Sequence, residues 1–128
     1  MNRKKVLLFR VARPKKEKIH ELCQQMGLEL LEIDRMRYGE PLGKLAGIPA
    51  VYEKERQTGI YSGPELPMEM LVFSGLDSEE LDRFLKDYRD TGLEAIPIKA
   101  VLTPFNCQWN AGQLFQELMK EHIQLRQK

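Results

Sequence analysis

The chain has 128 residues, one domain's worth, and can bury roughly two-thirds of the surface it exposes when unfolded. Its 42% hydrophobic and 30% charged content, with 9 Gly and 7 Pro, excludes a collagenous, coiled-coil or wholly disordered polypeptide. The formal net charge of +1 hides an asymmetry: residues 1–64 carry 13 Lys and Arg against 8 Asp and Glu, and residues 65–128 carry 7 against 11.

A basic stretch, Asn2-Arg3-Lys4-Lys5, precedes an apolar run that stops at Arg10, too short for a signal-peptide core. No run approaches the roughly 18 residues of a membrane span, so a cytoplasmic protein with no membrane association is expected. Lys5–Val11 reads as a buried strand. Pro14 suits the first turn of a helix, and Ile19, Leu22, Cys23 and Met26 recur at helical spacing over Pro14–Met26. Gly27 is a helix-ending residue, and Leu28–Ile33 follows as a strand. The segment Asp34–Pro67 is rich in Gly, Pro and charge, with a short helix expected in Pro41–Gly47.

The syntax then repeats. Met68–Leu76 is a strand, Asp77 with Glu80 has the capping-box spacing, and Leu81, Phe84, Leu85 and Tyr88 form a helical stripe ending at Gly92. Leu93–Leu102 is another strand, with Pro97 marking an edge or a bulge. Phe9 and Phe73 correspond 64 residues apart, and Gly27-Leu28-Glu29 and Gly92-Leu93-Glu94 correspond 65 apart, the pattern of a duplication with one insertion. Asn110 with Gln113 repeats the capping pattern at the start of a last helix, Asn110–Arg126. One domain over 1–128 is therefore expected: a βαβ half over 1–33, a connecting segment over 34–67, a second βαβ half over 68–102, and a corner with a helix over 103–128. Two such halves give an α+β, ferredoxin-like βαββαβ plait with a four-stranded sheet and an extra C-terminal helix. The alternative is a flavodoxin-like, mostly parallel α/β sheet, which needs a crossover helix in the middle segment.

The most distinctive motif is Thr103-Pro104-Phe105-Asn106-Cys107-Gln108-Trp109-Asn110. Thr103 as a cap before Pro104 starts a helical turn, and Phe105 and Trp109 lie one turn apart. The structural reading is a strand-to-helix corner pinned by two aromatics. The functional reading is a ligand site made by Thr103, Asn106, Cys107, Gln108 and Trp109, with backbone N–H groups available to an anion. From Met68 to Arg126, with Gly75-Leu76 and the Thr-Pro-x-Asn-x-x-Trp corner, the chain resembles a small bacterial family catalogued only as a domain of unknown function. That resemblance implies no activity, cofactor or catalytic residue.

Other chemistry is thinly signalled. Arg10, Arg13, Lys15, Lys16 and Lys18 make a basic patch suited to phosphate, but no phosphate loop or nucleic-acid motif accompanies it. Two cysteines fit a reducing compartment rather than a disulfide scaffold. Neither His20 nor His122 sits at metal-ligand spacing, Glu117, Glu121 and His122 read as a solvated face, and neither a metal nor a cofactor is expected. The leading expectation is a non-catalytic regulatory module that binds a small molecule or a protein, with self-association into a homodimer covering exposed sheet edges. The alternatives are a nucleic-acid-associated protein using the basic half, and a thiol-dependent enzyme at Cys107 with His20 or His122 as base.

Overall fold

Residues Lys5–Phe9 form strand β1 and Met70–Ser74 form β3, both apolar runs with side chains buried on the two sheet faces in turn. In this computed structural model, which describes residues 4–50, 52 and 60–126 with side chains as far as residue 121, they are the central strands of one open four-stranded sheet. Helix α1 spans Arg13–Met26 and ends at Gly27, whose left-handed backbone (φ 70°) lets Leu28 donate to the Cys23 carbonyl at 2.8 Å. Strand β2, Glu29–Glu32, then runs parallel to β1. Helix α3, Ser78–Arg89, starts in a complete capping box between Asp77 and Glu80, and strand β4, Ile98–Val101, runs parallel to β3. A single turn of 3-10 helix at Arg35–Arg37 and the four-residue helix α2, Leu42–Leu45, lie between the halves, and α4, Ala111–Arg126, closes the chain.

The sheet order is β2-β1-β3-β4, with β1 and β3 antiparallel. The fold is thus α+β with a mixed sheet, and it is not the interleaved ferredoxin-like arrangement expected from the element order. A split βαβ needs each crossover to skip a strand. Here β2 returns to the strand the chain has just left, with the Glu29 N–H bonding the Lys4 carbonyl at 2.9 Å, and β4 likewise lies beside β3. The flavodoxin-like alternative fails as well, because β3 runs against β1. Pro97 does mark an edge, since β4 is the outermost strand.

Val6, Leu8, Leu71 and Phe73 face Ile19, Leu22 and Cys23 of α1 and Phe84 and Tyr88 of α3. Leu7, Phe9, Met70 and Val72 face the opposite layer, made by α2, the start of α4 and the stretch around Leu66. The C-terminal helix therefore covers the second sheet face. The two halves superpose in sequence at an offset of 65: Leu7 pairs with Val72, its own counterpart, at the centre of the β1–β3 register. Left-handed backbone recurs at the same offset, at Arg10 and Gly75 and at Gly27 and Gly92. Phe9 and Phe73 are consequently not counterparts, and the difference in length between the halves falls after Gly92, ahead of β4.

Candidate functional site

The corner between β4 and α4 has an inner and an outer side. On the inner side, the Asn106 N–H donates to Thr103 Oγ1 at 3.1 Å and Asn106 Oδ1 accepts from the Thr103 N–H at 2.8 Å. Asn106 Nδ2 reaches back to the Val101 carbonyl at 3.1 Å, so this buried amide locks the turn to the end of β4. The Cys107 N–H bonds the Thr103 carbonyl at 3.0 Å, giving the helical turn expected after Thr103-Pro104. The corner also serves the other half of the chain. The carbonyls of Trp109 and Cys107 accept the N–H groups of Leu42 and Gly43 at 2.8 and 2.9 Å. Those are two of the donors that the first turn of α2 leaves without an intrahelical partner. Pro41, at the cap of α2, supplies no side-chain acceptor, so the corner acts as that cap. The backbones come so close that a Cβ on Gly43 would stand 2.9 Å from Cys107 Cβ.

On the outer side, Phe105 is 77% exposed and Val101 42% exposed. The Phe105 ring meets the half-buried Trp109 edge to face, centroids 5.4 Å apart. Together with Leu118 they line a cleft of about 400 Å³ between β4, the corner and α4, bordered by Glu117 and Glu121. Its floor is apolar and its rim acidic. Of the expected ligand residues, Asn106 and Trp109 both line the cleft, with the Asn106 amide also holding the turn, while Cys107 lies against α2; Thr103 is exposed and Gln108 half-buried. Val101, Leu118, Glu117 and Glu121 were not legible as site residues. Only the edge signal of Pro97 hinted that a face of β4 would be open.

The basic patch is dispersed and paired. Lys15 bonds Glu69, Lys16 bonds Glu32 at 2.8 Å, Lys18 bonds Glu21 at 3.1 Å, and Arg13 lies 3.4 Å from Glu17. Arg10 donates to the Pro67 carbonyl at 3.4 Å. Arg10 and Lys16 share a small cleft of about 170 Å³ at the ends of β1 and β2, but Glu32 and Glu65 share it too. Arg3 lies outside the described residues.

For thiol chemistry, burial pushes the Cys23 thiol up to about 12, which keeps it protonated and inert. The Cys107 thiol points at the Pro104 carbonyl, 3.3 Å away. His20 is exposed on α1, which packs on the sheet face opposite α2, so it does not approach Cys107. The side chain of His122 lies outside the described residues. Among the described residues there is no cluster of three metal-ligating side chains, and no helix is long and apolar enough to cross a membrane.

Neither the curated proteins nor the solved structures contain a match to this chain. A family model does match, over the half that carries the corner and its cleft, in agreement with the resemblance of the Thr-Pro-x-Asn-x-x-Trp segment. Residues 69–125, from the residue before β3 to the last turn of α4, match the model of a family described as a domain of unknown function (DUF3783).

Proposed function

We propose that this is a non-catalytic, protein-binding regulatory module of the cytoplasm that engages its partner at the Phe105–Trp109 corner. The observation that carries this reading is the exposed Phe105 ring set edge to face on Trp109 beside a cleft of apolar side chains with an acidic border, at the open edge of the sheet. Aromatic side chains at the centre of an apolar patch with a charged rim are the usual anchors of protein interfaces. An unpaired edge strand beside them adds backbone donors and acceptors. The nucleic-acid reading is weaker, because the lysines it would use already hold carboxylates.

The test is a photo-crosslinking amino acid in place of Phe105 in the full chain, with the same group in place of the exposed Ile60 as the control. A protein adduct at position 105 and not at 60 is expected, whether the partner is a second copy or a different protein. Equal yields at the two positions, or none at 105, would overturn the reading.

A further inference from the structure

The likeness between the halves continues beyond the βαβ units. Past Gly92 the offset becomes 69, as the register requires: Lys5 pairs with Glu29 and its counterpart Met70 with Ile98. At that offset Ile33 N–H bonds the Leu8 carbonyl at 3.0 Å, and Leu102 N–H bonds the Phe73 carbonyl at 2.8 Å. Glu40 N–H bonds the Arg37 carbonyl at 3.1 Å, and Trp109 N–H bonds the Asn106 carbonyl at 3.0 Å. Helices α2 and α4 begin at matching positions, Leu42 and Ala111, both fully buried, and Leu45 and Leu114 enter the same core. The turn at 34–41 is therefore the first half's version of the corner at 103–110.

The first corner is crossed by a segment of the chain itself. Residues 60–66, Ile-Tyr-Ser-Gly-Pro-Glu-Leu, lie across it. The Tyr61 N–H donates to the Met36 carbonyl at 2.9 Å, and the Tyr61 ring packs on Tyr38 with centroids 5.8 Å apart. Arg35 holds the Gly63 carbonyl at 3.3 Å, the Tyr38 hydroxyl holds Glu65, and Leu66 is buried. Met36 stays 51% exposed beside that segment, and its counterpart is Phe105, 77% exposed. One corner thus shows a segment laid across such a turn, and among the described residues no segment is laid across the other.

We infer that the second corner accepts an extended segment of a partner protein, laid across it as residues 60–66 are laid across the first. An aromatic side chain of that segment fills the cleft against Phe105 and Trp109, and its backbone N–H bonds the Phe105 carbonyl, the counterpart of the Met36 carbonyl. Charge sets the difference between the two. Arg10 and Lys16 share the small cleft beside the first corner with Glu65 of its segment, whereas Glu117 and Glu121 border the second, so its segment carries Lys or Arg there. This inference rests on the protein-binding reading and names the kind of partner.

The probes are two capped heptapeptides added to the full chain: residues 60–66 as they stand, and the same peptide with Glu65→Lys. Trp109, the sole tryptophan, reports binding through its emission. Saturable binding of both is expected, with the Glu65→Lys peptide about threefold to tenfold tighter at low salt and the advantage lost at high salt. Phe105→Ala in the protein, or Tyr61→Ala in the peptide, should weaken binding about tenfold or more. No saturable change with either peptide, or binding that Phe105→Ala leaves intact, overturns the inference. If crosslinking at 105 still captures a protein while both peptides fail, the protein-binding reading stands and the extended aromatic segment falls. Failure of both experiments removes both.

Discussion

The two halves of the chain solve one problem with opposite charges. In each, the residue before the central strand pairs with the third residue of the other half's helix: Lys4 with Glu80 of α3, and Glu69 with Lys15 of α1. Both partners keep the 65-residue offset, so strand side and helix side have exchanged sign. The exchange matters because a helix N-terminus favours negative charge. Helix α3 meets that preference itself, with Asp77, Glu79 and Glu80. Helix α1 has no side-chain cap, no acid in its first turn, and Arg13, Lys15 and Lys16 there instead. Its negative charge comes from Glu69, whose carboxylate takes the Ala12 N–H at 2.8 Å together with the Lys15 ammonium. Of the basic stretch that suggests a nucleic-acid patch, Lys15 belongs to the contact between the halves, while Arg13, Lys16 and Lys18 pair within the first half.

The strongest way to sharpen this comparison is a pair of glycines at equivalent positions in α2 and α4. Gly43→Ala would drive a Cβ to 2.9 Å from Cys107 Cβ and 2.5 Å from the Tyr52 hydroxyl. It should cost about 1–3 kcal/mol, with the contact between α2 and the corner disturbed. Gly112→Ala meets only Asn110 Oδ1, at 3.7 Å, and should stabilise by roughly 0.5–1 kcal/mol through helix propensity. Urea unfolding of both variants checks the signs. Equal effects would mean that the two helices sit in equivalent surroundings after all.

A second pair tests the backbone. Arg10 and Gly75 both adopt left-handed φ, 61° and 83°, right after their strands. An L side chain there costs about 1 kcal/mol relative to glycine. Arg10→Gly should therefore raise stability by up to about 1 kcal/mol, and Gly75→Ala should lower it by a similar amount. A loss of stability in the first variant would show that the Arg10 contact with the Pro67 carbonyl outweighs the strain.

What the sequence made legible was local. The capping box at Asp77, the left-handed stop at Gly27, the short helix in Pro41–Gly47 and the duplication all rest on neighbours within a few residues or on a repeat that can be aligned. The sheet order was not legible, because the runs KVLLF and MLVFS pair equally well in several orders. Link length does not decide it either, since two residues follow α1 and eight follow α3, and both strands return beside the one that precedes their helix. The partners of the basic residues were legible only where they are near: Arg13 and Lys18 pair within α1, whereas Glu69 lies 54 residues from Lys15 and Glu80 lies 76 from Lys4. The corner was half legible. Thr103, Pro104 and Asn106 gave the turn, but Phe105 at one-turn spacing from Trp109 reads as core on pattern alone, and only the open edge at β4 leaves its ring in solvent.

The smallest effect is the one that bears most directly on the sign exchange. The Lys4 hydrogen bond holds the Glu80 carboxyl below the usual carboxylate range, with help from the Asp77 backbone. A group lowered in the folded state contributes its full stability above its unfolded value, about 4.3, and loses it as pH falls through the folded one. The Glu69 hydrogen bond raises the Lys15 ammonium, and that contribution is complete below about 10.4 and lost as pH rises through the folded value. The Lys4–Glu80 pair should thus act at both ends of the pH range, because the Glu80 hydrogen bond also raises the Lys4 ammonium, whereas the Lys15 ammonium acts at the alkaline end. Glu80→Gln should flatten both limbs of a stability–pH curve, and Lys15→Gln should flatten the alkaline limb. Both changes are expected to be smaller than those at Gly43 or Arg10, with the more exposed Lys4–Glu80 pair the weaker and the more salt-sensitive. Unfolding midpoints in urea, followed from acid to alkaline pH, resolve the two limbs. If the Glu80→Gln curve stays parallel to that of the parent chain, the link between Lys4 and α3 carries no stability, and the first half draws its charge from the second without return.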